Sequence, residues 1–169
     1  MGVTRLNHAV LYVRSLEESV AFYRDVFGFA QVMTMPGAAF LQAPDSDNDH
    51  DLGLFEVGPA AGPSRAGRQT VGLYHLAWEV DTLDTLAAIA GRLEEAGALV
   101  GATDHGTTKA VYGRDPNGIE FEVCWLVPAD LIDDELLEAR KQLRRLDLEA
   151  EITRYGPDTK GGIGISIPA

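Results

Sequence analysis

The chain has 169 residues, 46% hydrophobic and 24% charged, a balance that predicts a globular protein long enough to bury a sizeable core. Its formal net charge of −12 argues against nucleic acid or an anionic membrane surface as a partner. A single cysteine, Cys124, excludes an internal disulfide framework, and Arg5, Arg14, Glu17, Glu18 and Arg24 interrupt any apolar leader, so no signal peptide or membrane span is predicted and the expected location is cytoplasmic.

Residues 5–13 (Arg-Leu-Asn-His-Ala-Val-Leu-Tyr-Val) alternate as a strand does, with His8, Val10 and Tyr12 on one face and Ala9, Leu11 and Val13 on the other. Ser15 predicts a helix start, since Glu18 three residues on completes a capping box. Leu16, Val20, Tyr23 and Phe27 recur at helical spacing, and Gly28 is placed to end the helix. Strands are expected over 29–35, 38–43 and 50–57, with a polar turn at 44–49, and residues 58–70 read as a Gly/Pro/Ser-rich linker.

The next stretch repeats the first. Leu73-Tyr74-His75-Leu76-Ala77 echoes Leu6-Asn7-His8-Ala9-Val10, and Thr82-Leu83-Asp84 echoes Ser15-Leu16-Glu17. Leu86, Ile89, Ala90 and Leu93 give a second helix its apolar face, ended by Gly97, and Phe121-Glu122-Val123 echoes Phe55-Glu56-Val57. Asp115-Pro116-Asn117-Gly118 is a tight turn, because Pro presets φ and Gly accepts φ > 0. Beyond it, Ile119, Phe121, Val123 and Trp125 alternate with Glu120, Glu122 and Cys124, which puts both carboxylates on one face. Residues 130–149 carry a third helical pattern (Leu131, Ile132, Leu136, Leu137, Leu143, Leu146) that suggests packing on the outer surface or in a homodimer, and the Gly/Pro-rich tail is expected to need docking.

The repeat puts His8 and His75 at equivalent points of the two first strands, with Glu122 on the last strand of the second module. Should the two sheets face a shared concavity, two imidazoles and one carboxylate converge there. Two His and one carboxylate with open positions is the ligand set of non-haem Fe(II) oxygenases. Glu120 shares the face of Glu122 and is the alternative carboxylate; the repeat favours Glu122. His50, among Asp47, Asn48, Asp49 and Asp51, and His105, in a polar loop, read equally well as surface histidines, and Tyr112 is open in the same way. Asp45, Asp47, Asp49 and Glu56 mimic calcium-loop spacing, but His50 stands where the loop needs Gly, so no calcium site is predicted.

The paired modules with His-containing first strands resemble the vicinal oxygen chelate superfamily (glyoxalases, bleomycin resistance proteins, extradiol dioxygenases) over roughly residues 4–127. Thr103-x-His105, Val111-Tyr112, Asp115-Pro116-x-Gly118 and Glu122 are similar, in residue and in spacing, to the pattern of type I extradiol ring-cleavage dioxygenases. The resemblance implies an α+β fold of two βαβββ modules (4–57 and 71–127) forming a cupped, incomplete β-barrel in a single domain, with a C-terminal helical extension over 128–169. It implies His8, His75 and Glu122 as Fe(II) ligands, with Mn, Zn or Ni as other possible metals. It also implies His105 and Tyr112 as groups facing the substrate and His50 as the acid–base histidine. The expected activity is cleavage of a small aromatic diol of catechol type with O2, in a small two-module form. The alternatives are a glyoxalase-type metal-dependent isomerase or lyase using Glu56 as base or ligand, and a non-catalytic binding (resistance) protein of the same fold.

Overall fold

The helix ends read from the sequence hold in the folded chain, of which a computed structural model describes residues 2–64 and 69–166, although of the capping box at α1 only the serine half forms. Ser15 caps helix α1 (Leu16–Phe27) by accepting from the Glu18 amide at 3.2 Å, and Gly28 ends it in the left-handed region at φ 77°. Thr82 caps α2 (Leu83–Glu95) in the same way through the Thr85 amide.

The chain groups into two compact units, Met1–Arg65 with Asp115–Gly118, and Ala66–Arg114 with Ile119–Ala169. The first holds strands β1 (Ala9–Val13), β2 (Ala30–Met35), β3 (Ala38–Gln42) and β4 (Leu52–Glu56) in the order β1-β4-β3-β2, with β1 parallel to β4. Leu11, Val13, Leu41, Leu52 and Leu54 are buried together with Tyr23, Val26 and Phe27 of α1. The turn Asp115–Gly118 belongs to this unit. Asn117 accepts from the Arg14 amide at 2.8 Å and donates to Ser19 Oγ at 3.0 Å, and Gly118 donates its amide to the Asp115 carbonyl at φ 81°. Burial, reinforced by the Asp115 carboxylate, raises the Tyr23 phenol well above its ordinary range, so it stays a protonated core group.

The second unit repeats the order as β5-β8-β7-β6, from β5 (Leu76–Glu79), β6 (Leu99–Asp104), β7 (Thr108–Arg114) and β8 (Glu120–Leu126). Both copies carry a bulge in the second strand, at Gln31/Met33 and at Leu99/Gly101. Each sheet is mixed and open, so the class is α+β. On β8 the expected alternation is present: Phe121, Val123 and Trp125 are buried, while Glu120, Glu122 and Cys124 line the other face.

The ladders revise the sequence echo at the module ends. Val10 pairs with Gly53, and its repeat counterpart Ala77 pairs with Glu122, so Gly53 occupies the ladder position of Glu122. Glu56 pairs with Val13 further along, and its carboxylate accepts from the Leu16 amide at 2.8 Å, at the start of α1. An echo matches residue types, whereas register follows hydrogen bonding and loop length.

The single helix expected over 130–149 is also revised. A short 3-10 turn (Ala129–Leu131) is followed by α3 (Asp134–Ala139), β9 (Arg144–Arg145) and α4 (Leu148–Tyr155). Asp133 and Asp147 each cap a separate helix, and β9 pairs antiparallel with β6. Leu136, Ala139 and Leu146 are buried within this unit itself, leaving Leu131, Leu137 and Leu143 exposed. Part of the expected tail is docked: Gly161 donates to the Asp81 carbonyl at 2.8 Å and Trp125 Nε1 to the Thr159 carbonyl at 3.1 Å. Residues 65–68 of the expected linker and the last three residues of the tail lie outside the described residues.

Candidate metal centre

His8 and His75 occupy equivalent points, but each immediately precedes the first strand of its sheet rather than lying on it, since β1 starts at Ala9 and β5 at Leu76. In the second unit His75 Nε2 lies 3.2 Å from Glu122 Oε2, with side chains 26% and 14% exposed. Two donors bonded to one metal at about 2.1 Å are separated by ~3.0 Å at a right angle and ~3.4 Å at the tetrahedral angle. The observed spacing falls between these, so the pair fits two adjacent ligand positions. His75 Nδ1 is buried with no hydrogen-bond partner, which leaves the Nε2 side as the ring's polar outlet. Among the described residues no group of three His, Cys, Asp or Glu side chains is assembled for a metal; of the expected ligands, His75 and Glu122 are brought together.

Tyr112 faces Glu122 directly across the β7–β8 ladder. Its phenol lies 2.7 Å from His105 Nε2, so His105 and Tyr112 stand beside the Glu122–His75 pair. A phenol has one proton to donate. Burial, then the Glu122 charge, pushes the Tyr112 phenol up to about 12, so it remains a donor at neutral pH. Burial, with Glu122 and Glu79, likewise pushes the Cys124 thiol up to about 12, which makes it a poor nucleophile. Glu120 is engaged by Arg114 at 2.6 Å, in keeping with Glu122 as the carboxylate of the site.

In the first unit His8 and His50 stand with ring centroids 4.5 Å apart, and the edge of Phe40 meets His50. His50 Nδ1 lies 3.2 Å from Asp49. His8 is exposed at its ring, and its Nδ1 lies 2.8 Å from Asn7 Oδ1, an acceptor that makes Nδ1 the protonated nitrogen and leaves Nε2 free. Asn7 is tied to Asn48, which donates to the Asn7 carbonyl at 2.9 Å and to Asp51 Oδ1 at 2.8 Å. Sequence reasoning missed this Asn7–Asn48–Asp51 support, because only the folded loop brings residue 48 to residue 7.

Asp51 also accepts from the Ala43 amide and from Ser46 Oγ, each at 2.8 Å. Partial burial opposes its ionisation, but these bonds outweigh it and hold the carboxyl below its usual range. A carboxyl with a depressed folded pKa adds stability above the unfolded value, near 3.9, and loses it as pH falls through the folded value. Asp51→Asn is therefore expected to cost about 1 kcal/mol at neutral pH after solvent screening. The difference from the parent should close in acid, and urea unfolding at several pH values measures it.

Paired sheets of one strand order, each introduced by a histidine, define a protein of the glyoxalase fold class. Residues 5–123 match the Glyoxalase/Bleomycin resistance protein/Dioxygenase superfamily, and the chain belongs to it. A catechol-2,3-dioxygenase of Bacillus subtilis (strain 168) is 36% identical over 120 residues, covering 71% of this chain and 41% of that protein. Biphenyl-2,3-diol 1,2-dioxygenase 3 of Rhodococcus globerulus is 35% identical over 127 residues, covering 73% of this chain and 64% of its own length. The chain thus spans less than two thirds of these relatives. Among solved structures, a glyoxylase/bleomycin resistance protein/dioxygenase domain from Frankia sp. EAN1pec aligns with a TM-score of 0.59 at 21% identity, over 73% of this chain and 92% of that one, a likeness of fold.

Proposed function

We propose that the chain is an Fe(II)-dependent extradiol ring-cleavage dioxygenase acting on a catechol-type aromatic diol with O2. The observation that carries this is the His75–Glu122 pair at ligand spacing, with Tyr112 opposite Glu122 in the ladder and 2.7 Å from His105 Nε2. The relatives named as dioxygenases of catechol and of biphenyl-2,3-diol support the substrate class. His75 and Glu122 would hold the metal, with His8 assigned as third ligand on its repeat position. Bound there, Fe(II) supplies Lewis acidity toward the diol and redox reactivity toward O2; Mn, Zn or Ni suit the same nitrogen and oxygen donors.

The protein groups have separate tasks. His50 takes a proton from the diol and returns it to the opening ring, since an imidazole both accepts and donates near neutral pH. Tyr112, kept protonated, donates toward developing negative charge, and His105 orients that phenol. The ring opens at the carbon–carbon bond beside the diol, and both oxygen atoms enter a semialdehyde or keto acid product. The capping role of Glu56 weighs against the isomerase alternative, which needs that carboxylate at the metal. A cytoplasmic setting suits both Fe(II) and the free Cys124 thiol.

The test is anaerobic loading with Fe(II), then exposure of a panel of catechols to air with oxygen uptake and product absorbance recorded. Uptake with a yellow ring-opened product is the expected result; tight metal binding with no uptake on any diol would overturn it. Asn7→Ala should weaken metal binding about 10- to 100-fold while leaving the fold intact, because the support of His8 Nδ1 is lost. Equilibrium titration with Mn(II) measures that change without reference to turnover.

A further inference from the structure

The superfamily match ends at residue 123, and residues 128–166 form an extension that packs on α2 and β8 and also reaches one loop, Asp104-His105-Gly106-Thr107. Three of its elements reach this loop. Strand β9 pairs with the end of β6, Arg145 opposite Thr103 and Arg144 opposite Asp104. Helix α3 lies flush against Gly106, where a Cβ would stand 2.7 Å from the Leu136 carbonyl oxygen and 2.8 Å from the Arg140 nitrogen. Gly106 also has φ 78°, so a side chain there is disfavoured twice.

The third contact is ionic. Lys109, buried on β7, reaches Asp104 Oδ1 at 2.6 Å and Glu151 Oε2 of α4 at 3.0 Å. The Glu151 oxygen makes no hydrogen bond, so this link is a charge contact only. Asp104 Oδ1 accepts from the Gly106 amide at 2.8 Å as well. A chain of contacts thus runs from Glu151 through Lys109 and Asp104 to the amide of the residue after His105. A lysine buried between carboxylates costs desolvation that an apolar contact would avoid. Docking of α4 does not need it, because Tyr155 already packs on Trp125 with centroids 5.4 Å apart. What the ionic link adds is a connection ending at the loop of His105, whose Nε2 meets the Tyr112 phenol.

Resting on the roles given above to His105 and Tyr112, we propose that the extension is a brace for the functional site, with Glu151, Lys109 and Asp104 as positioning residues that set His105 against Tyr112. The experiment uses the full chain with Glu151→Gln, which removes the charge and keeps the shape. Gly106→Ala serves as a second, stronger variant and Glu149→Gln, exposed on the same helix, as control. Imidazole nitrogen NMR of the metal-free protein reads the His105 tautomer and environment, and kcat, KM and iron content are measured on the loaded protein. Glu151→Gln is expected to shift the His105 ring signals and lower kcat about 10-fold, with KM and iron content unchanged. Gly106→Ala should do the same more strongly, and Glu149→Gln neither. Unchanged His105 signals and kcat, with only a lower Tm, would overturn the brace. If the parent cleaves no diol, the dioxygenase reading fails alone, and the His105 signals still decide whether the extension positions that ring.

Discussion

Glu122→Gln is expected to lower Fe(II) affinity by more than about 100-fold and to abolish ring cleavage with it, since losing a ligand should exceed the usual cost of losing a ligand's support. The amide keeps the shape of the side chain but cannot offset metal charge. A second signature should accompany the loss. Burial is the larger cause of the raised Tyr112 phenol and the Glu122 charge the next, so removing that charge should bring the phenol part of the way back from about 12 toward its ordinary value. Metal analysis after gel filtration reads the first effect, and the rise of phenolate absorbance with pH reads the second. Full iron content in the variant would remove Glu122 from the metal and leave Glu120 as the carboxylate of that face, at the expense of its ion pair with Arg114.

His50→Phe should behave in the opposite way, retaining iron while slowing turnover about 100- to 10,000-fold, the usual range for a lost general acid–base. The substitution suits the site because the ring already packs between His8, at 4.5 Å, and the edge of Phe40, at 5.1 Å. A phenyl ring keeps both contacts and loses only the proton. Steady-state oxygen uptake beside metal content separates the two outcomes. Retained full activity would take His50 out of the mechanism and leave its place to another group.

These two experiments divide the site by chemistry. Glu122, on β8, lies 3.2 Å from His75 and opposite Tyr112 in the ladder, and its variant tests binding. His50, just before β4, rests on aromatic neighbours and on the Asp51-held loop that also supports Asn7 and His8. The first unit thus holds its two histidines together through the loop at 43–51, and the second brings His75, just before β5, to Glu122 on the neighbouring β8.

Local chemistry in this chain was legible without a structure. Ser15 and Gly28 bound α1, Thr82 starts α2, and the Asp115–Gly118 turn closes as its residues predict, because each depends on side chains within a few positions. The duplication was legible too, since both modules carry the same strand order and the same bulge. Asp133 and Asp147 were signals for two short helices, but the leucines between them imitate one long amphipathic helix. Only pairing of Arg144–Arg145 with the edge of β6 decided otherwise, a contact some 40 residues apart in the chain.

Register was likewise a tertiary matter. The residue types around Glu56 and Glu122 match, yet hydrogen bonding sets Gly53 opposite Val10 and Glu122 opposite Ala77, which separates a carboxylate that caps a helix from one that meets His75. The burial of Lys109 among Asp104, Glu151 and Tyr155 could not be read from a strand in which it looks like an ordinary solvent-facing lysine. By itself the sequence determined the helix caps, the tight turn and the two repeated modules. The tertiary structure decided which neighbour orients each polar side chain, because hydrogen-bond partners such as Asn7 and Asn48 meet only after the chain between them has folded.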